Sequence, residues 1–302
     1  MSELSALRSS NEWSRLRRKT VRLILYVLVT ILALSFCFPF YYTLVSSLKT
    51  PAEFYTWPPV LFPEKLQWQN YAETVAAGTF PRWFYNTFVL VILSTSGAVL
   101  TSSMVGFSFA KFRYRGRDLL FAVTMATMML PSQVTLIPTF IMFYKFDQWT
   151  PIQWLDTLKP LWVPSWFGGG AFAIFLMRQF IRTLPPELDE AALMDGAGYP
   201  RIFWSIVLPL CKPAMATLAI IGILGAWNSF LGPMIYINSP DKFPISVGVR
   251  YFQINYMSFE IGRPREYLLM CASVISTIVP IVVFFLFQRF FVQGVVLSGI
   301  KG

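Results

Sequence analysis

Apolar and polar positions alternate along this chain in long blocks rather than at helical or strand spacing. Apolar runs cover Leu23–Leu48, about Tyr85–Ala110, about Leu119–Tyr144, about Ala214–Ile237 and about Glu266–Phe291. Each reaches the ~20 residues a helix needs to cross the hydrocarbon core of a bilayer. A further run, Ala171–Ile181, is too short alone and is expected to borrow from Trp162–Phe167. The pattern predicts an all-α integral membrane protein, a single domain over residues 1–302 with six transmembrane helices. Pro131 and Pro138 fall inside the third run and predict a kinked or broken helix. Such a break is tolerated where the backbone faces protein or a cavity, which makes Pro131 a candidate for lining a pathway. The small residues of SSMVGFSFA, in the second run, predict close helix packing.

The polar blocks differ in kind. Lys49–Phe84 and Lys145–Gly170 are rich in proline and aromatic residues and are read as external, the first either as an interfacial belt or as a surface for an external partner; Asn238–Arg265 is read as external as well. Pro185–Pro209, PPELDEAALMDGAGYPRIFWSIVLP, reads as ordered structure. Pro186 suits the first helical position, and Glu187, Asp189 and Glu190 crowd a first turn where the helix dipole favours negative charge. Leu188, Ala191 and Ala192 share one narrow face. Gly196 follows Asp195 and is suited to the left-handed turn that ends a helix. Pro200 starts a second helix with Ile202, Phe203 and Ile206 on one side, and Pro209 limits its length. The stretch therefore predicts a short helix, a glycine elbow and a second short helix.

Composition agrees with the blocks. Of 302 residues, 55% are hydrophobic and 13% charged, with a mean hydropathy of +0.55; a soluble domain carries about 25% charge. The net charge of +10 does not call for nucleic acid, because basic residues collect on cytoplasmic flanks of membrane helices. Sixteen of the 25 basic residues fall on one side of the predicted topology, among them Arg8, Arg15, Arg17, Arg18, Lys19 and Arg22 before the first span and Lys111, Arg113, Arg115 and Arg117 after the second. This bias places residues 1–22, the 185–209 stretch and the 294–302 tail in the cytoplasm. The run after the basic N-terminus is too long for a signal peptide's apolar core of ~7–15 residues and is read as an uncleaved span. No histidine is present, which removes imidazole catalysis and the commonest zinc ligand; no metal site is expected. Cys37, Cys211 and Cys271 are isolated and read as small buried hydrophobes. No phosphate-binding loop is visible, so the chain is expected to bind no ATP or other cofactor itself.

One polar group stands in mid-span: Gly225-Ala226-Trp227-Asn228-Ser229-Phe230. An amide inside a membrane is costly unless paired. Trp227 and Asn228 are therefore candidates for a substrate pathway, where an indole stacks on a sugar face and an amide bonds hydroxyls; the competing reading is helix–helix glue.

Glu190-Ala191-Ala192, three residues, Gly196, nine residues, then Ile206-x-Leu208-Pro209 resembles the EAA loop of bacterial ABC importer permeases, with no departure at its key positions. The final GVVLSGIKG, with Gly299, Lys301 and Gly302, resembles the tail of maltose-type permeases of the MalG-like kind. The resemblance implies a type I importer permease in the bacterial inner membrane. It implies a second, MalF-like permease, two ATP-binding subunits that supply ATP and Mg, and an extracytoplasmic sugar-binding protein or lipoprotein. It further implies that Glu190, Ala191, Ala192, Gly196, Ile206, Leu208 and Pro209 serve ATPase coupling, and that the tail contacts the ATPase. The alternatives are an ion-driven carrier, against which the near absence of ionisable residues in the spans counts, and a non-transporting assembly subunit. Substrate identity is not readable from the residues.

Overall fold

The computed structural model describes residues 2–77, 79–256 and 265–299, with the backbone alone for 2–17, 77, 132, 256 and 289–299. Every regular element among the described residues is a helix. Among the described residues, four helices are long and apolar enough to cross a membrane: Arg18–Ser47, Phe80–Lys111, Lys159–Ile181 and Glu266–Gln288. Two bent pairs raise the number to six if each is one span: Arg117–Met129 with Gln133–Trp149, and Tyr199–Leu210 with Lys212–Trp227.

By contact the chain divides into two compact units. The smaller takes the residues up to Thr74 together with Arg265–Val274. Its first helix, Ser2–Ser47, runs unbroken through Pro39, so the basic residues expected as a separate flank belong to the span's own helix. The apolar side chains of this helix, Leu23, Ile24 and Phe36 among them, are exposed, and Cys37 is exposed too, contrary to the buried role expected of it. At its end the polar residues satisfy one another. Asn70 Nδ2 donates to the carbonyls of Ser47 and Lys49, each at 2.9 Å, and the hydroxyls of Ser47 and Tyr71 lie 2.7 Å apart. Lys49, expected on an open external flank, is instead 1% exposed; its ammonium bonds Ser46 Oγ at 3.2 Å and sits 4.6 Å over the Tyr42 ring.

The larger unit is organised around the helix Phe80–Lys111. Ala171–Ile181, Lys212–Trp227, Ile245–Tyr256 and the turn Val163–Trp166 all pack on it. The small residues predicted to permit close packing do so: a Cβ on Gly106 would lie 2.8 Å from Met177 Cβ and 2.9 Å from the backbone nitrogen of Arg178. The stretch expected to be external up to Gly170 is partly helical, with Lys159–Trp162 and Val163–Trp166 seated on the central helix and Trp166 Nε1 donating to the Leu93 carbonyl at 3.0 Å. This is the apolar length that the fourth run borrows. The third run breaks at Leu130–Pro131, while Pro138 is carried inside the following helix, Ser132–Trp149. The fifth also breaks: Lys212–Trp227 ends at Asn228, and Leu231–Tyr236 resumes after it.

Candidate functional site

The Pro185–Pro209 stretch forms two helices about an elbow. Glu187–Met194 begins directly after Pro186 with its three acidic residues in the first turn, where their charge meets unsatisfied backbone N–H groups. It ends at Gly196, whose φ is +78°. Two bonds close the turn: Gly196 N–H to the Leu193 carbonyl at 3.0 Å and Ala197 N–H to the Ala192 carbonyl at 2.9 Å. They are the paired bonds of a Schellman motif, with Ala192 and Ala197 supplying the accompanying apolar contact. The second helix, Tyr199–Leu210, widens into a π-helical turn at Phe203–Val207, where the Leu208 N–H reaches back to Phe203 O. Pro209 has no N–H to give and its ring crowds the preceding turn; the widened turn relieves both. Pro209 lies within the last turn, and the helix ends one residue beyond it. The chain continues to Leu210 and bends by 74° into Lys212–Trp227.

The element has two unlike faces. Ala192, Ile202, Phe203, Val207 and Cys211 are buried in one cluster with Phe107, Met177, Ile181, Ala214 and Leu218, and Ile206 and Leu208 pack partly against it. Glu187, Glu190, Ala191 and Leu193 are exposed on the other face, with Met194 at 88%. Glu190 and Ala191 are thus available to a partner. Ala192, at 8% exposure, packs instead into the chain's own core. Pro209 is exposed.

A charged joint fastens the first short helix. Lys111, the last residue of the central helix, pairs with Asp189 at 2.6 Å, with side-chain exposures of 14% and 15%. Next to it Phe112 meets Tyr199 edge-on at 4.8 Å. Sequence reading noted Lys111 as a flank charge and Asp189 as a first-turn acid, but nothing in the sequence pairs residues so far apart.

The other candidates are dispersed. Trp227 is buried, its Nε1 donating to the Ser276 carbonyl at 3.1 Å and its ring against Phe84 and Phe88. Asn228 is exposed and turns its amide onto Leu224 O at 2.9 Å, capping its own helix. Pro131 is exposed at the break it makes. A cavity of about 240 Å³ opens beside this segment, lined by Ser94, Thr95, Ser165, Gly222, Gly225 and Ser229 among others; none of the three candidates lines it. Thr95 Oγ1 is buried there without a hydrogen-bond partner among the described residues. Gly299 is the last residue of the helix Glu266–Gly299, and Lys301 and Gly302 lie outside the described residues.

Sequence reading also missed a latch between two loops of the larger unit. Asp156 takes a left-handed φ of +54°. Its carboxylate accepts from the N–H groups of Asn238 and Ser239, at 3.0 and 2.8 Å, and from Ser239 Oγ and Lys242 Nζ, each at 2.7 Å. Burial pushes this carboxyl upward, but the hydrogen bonds from Lys242, Ser239 and Asn238 outweigh it and hold it well below the usual carboxylate range. The tied loop is also held by the central helix: Trp83 Nε1 donates to Pro240 O at 2.8 Å, and Asn86 Nδ2 to the carbonyls of Asp241 and Phe243, at 2.9 and 3.1 Å.

Comparison with known proteins bears on the whole arrangement. Residues 98–297 match the family described as binding-protein-dependent transport system inner membrane component. The chain is 32% identical over 286 residues to the sn-glycerol-3-phosphate transport system permease protein UgpE of Yersinia enterocolitica, covering 92% of this chain and 97% of that one. It is 29% identical over 287 residues to the arabinooligosaccharides transport system permease protein AraQ of Bacillus subtilis, covering 93% and 96%. Its fold is that of a chain in the crystal structure of a bacterial ABC transporter involved in the import of the acidic polysaccharide alginate, with a TM-score of 0.80 at 23% identity over 90% of this chain and 97% of that one.

Proposed function

Because the chain belongs to the binding-protein-dependent transport system inner membrane component family, we propose that it is one of two unlike permease subunits in an ATP-driven importer of a carbohydrate or polyol phosphate. Its partners in this reading are the second permease, two ATPase subunits that bind ATP and Mg, and an external substrate-binding protein. The relatives named for glycerol phosphate and arabino-oligosaccharides support the substrate class without choosing within it.

The observation that carries the coupling role is the two-faced helix–elbow–helix element. One face is built into the core beside the central helix, and the other presents Glu190, Ala191 and Met194 to the outside. A rigid body anchored on one side and open on the other can be gripped by a partner and pass its motion inward. Closure of the ATPase dimer would move Glu187–Met194 and, through Tyr199–Leu210, tilt Lys212–Trp227 at the 74° bend. Gly196 would set the elbow, Ile206 and Leu208 would key the second helix to the core, and the tail from Gly299 would add a second contact with the ATPase. The test is gentle purification of the tagged chain from its native membrane. Recovery of a second permease and an ATPase whose hydrolysis rises with the loaded binding protein is the expected result. A chain that purifies alone and transports without ATP would overturn the reading and favour an ion-driven carrier.

A further inference from the structure

We propose that Lys111 and Asp189 form a strap that makes the helix Phe80–Lys111 a rod between the exposed short helix and the loop around Pro240–Phe243, on the opposite end of the larger unit. This rests on the coupling role proposed above and assigns it residues.

The hold on Glu187–Met194 is otherwise slight. Ala192 is its only buried residue, and a methyl group alone gives little grip. The second helix, in contrast, buries Ile202, Phe203 and Val207. Against that small apolar contact stands an ion pair at 2.6 Å whose two side chains are nearly withdrawn from solvent. The other ion pairs among the described residues each have at least one partner more than a third exposed, where water weakens attraction. A withdrawn pair is different, because parting it leaves two desolvated charges. Each charge is also placed where its own helix favours it: Asp189 in a first turn and Lys111 in a last. The pair resists separation, so a displacement of Glu187–Met194 is passed to Lys111.

What receives it is stiff. Phe80–Lys111 has 32 residues without a break, about 48 Å at 1.5 Å per residue. Its far end holds the outer loop through Trp83 and Asn86, which donate three hydrogen bonds to the carbonyls of Pro240, Asp241 and Phe243. Asp156 then ties Asn238, Ser239 and Lys242 of the same loop. One helix thus has a fastened joint at each end. A push on the short helix reaches the outer loop without passing through the bent spans.

The test uses the purified complex with its binding protein in vesicles, reading assembly, basal ATP hydrolysis, binding-protein stimulation of hydrolysis, and import. Lys111→Asp and Asp189→Lys, made singly, are expected to lower the ratio of stimulated to basal hydrolysis, and import with it, about tenfold, the coupling expected between contacting residues. The two together restore the opposite charges and should recover most of both. A merely structural pair would change the amount of complex and leave the stimulation ratio of what assembles unaltered. If a single variant does not assemble, the double variant decides: recovery of assembly and stimulation supports the strap, and recovery of assembly alone overturns it. Single variants with normal stimulation overturn it as well. A wild-type complex that lacks any ATPase would instead refute the coupling role itself.

Discussion

Gly196→Val isolates the cost of a backbone angle. A Cβ added at Gly196 meets nothing within 4 Å, so no collision enters the reckoning. What enters is φ, +78° in the native turn. An L-residue in the left-handed region costs about 1–2 kcal/mol, and a β-branched one is a genuine outlier there. Opposing that strain are the two bonds of the elbow, from Gly196 and Ala197, each worth about 0.5–1.5 kcal/mol net. The strain and the restraint are the same size, so valine should open the turn rather than be held strained within it. A shift of about 1–2 kcal/mol changes an opening equilibrium by roughly 5- to 30-fold. The assay is amide hydrogen exchange over residues 187–197 in the purified complex, read beside import. Exchange should accelerate by about tenfold in the valine variant, less in Gly196→Ala, and least in Gly196→Asn, because asparagine visits this region routinely. Import should fall in the same order. Valine exchanging at the wild-type rate with full import would refute the reasoning. Equal effects of valine and asparagine would show that something other than φ sets the cost.

Other substitutions test other parts of the same frame. Asp156→Asn keeps a residue that tolerates the left-handed angle but removes the charge. It should lower thermal stability by about 1–2 kcal/mol, after discount for the partly exposed Lys242. The native carboxyl is held below its unfolded value of about 3.9, so its contribution is fully present above that pH and is lost as pH falls through the native value; a wild type that destabilises between pH 8 and 5 as Asp156→Asn does not would contradict this. Gly106→Leu drives a side chain into Met177 and the backbone at Arg178, and should cost about 1–3 kcal/mol as overpacking in a melting measurement. Thr95→Val removes a buried hydroxyl with no partner among the described residues. It should leave stability unchanged or raise it by about 1 kcal/mol, whereas a clear loss would show that the hydroxyl is used.

How much of this was legible in the sequence depended on the range of the physics involved. Features fixed within a few residues were readable. The elbow at Gly196 follows from the residue type that accepts its angle most readily, and the break at Pro131 from a missing N–H. The long apolar runs follow from the length a bilayer demands, and four to six candidate spans are found among the described residues, although the helices carry some runs past their predicted ends, as at Ser2–Ser47 and Glu266–Gly299. Features that need two distant segments were not readable. Ala191 and Ala192 are adjacent and chemically identical, and only the packing of Phe107, Met177 and Ile202 around one of them separates a core residue from a surface one. The same holds for charge. Lys111 was one basic residue among four on a flank, and Asp189 one acid among three in a turn. Their pairing exists because the central helix ends where the short helix begins its first turn. Asn228 shows the opposite lesson: a polar residue in an apolar run invites a search for a ligand, yet its amide nitrogen also bonds back to its own helix terminus at Leu224 O. The helix breaks there inside the run and resumes at Leu231, and the residue at the break need not face a substrate to be required.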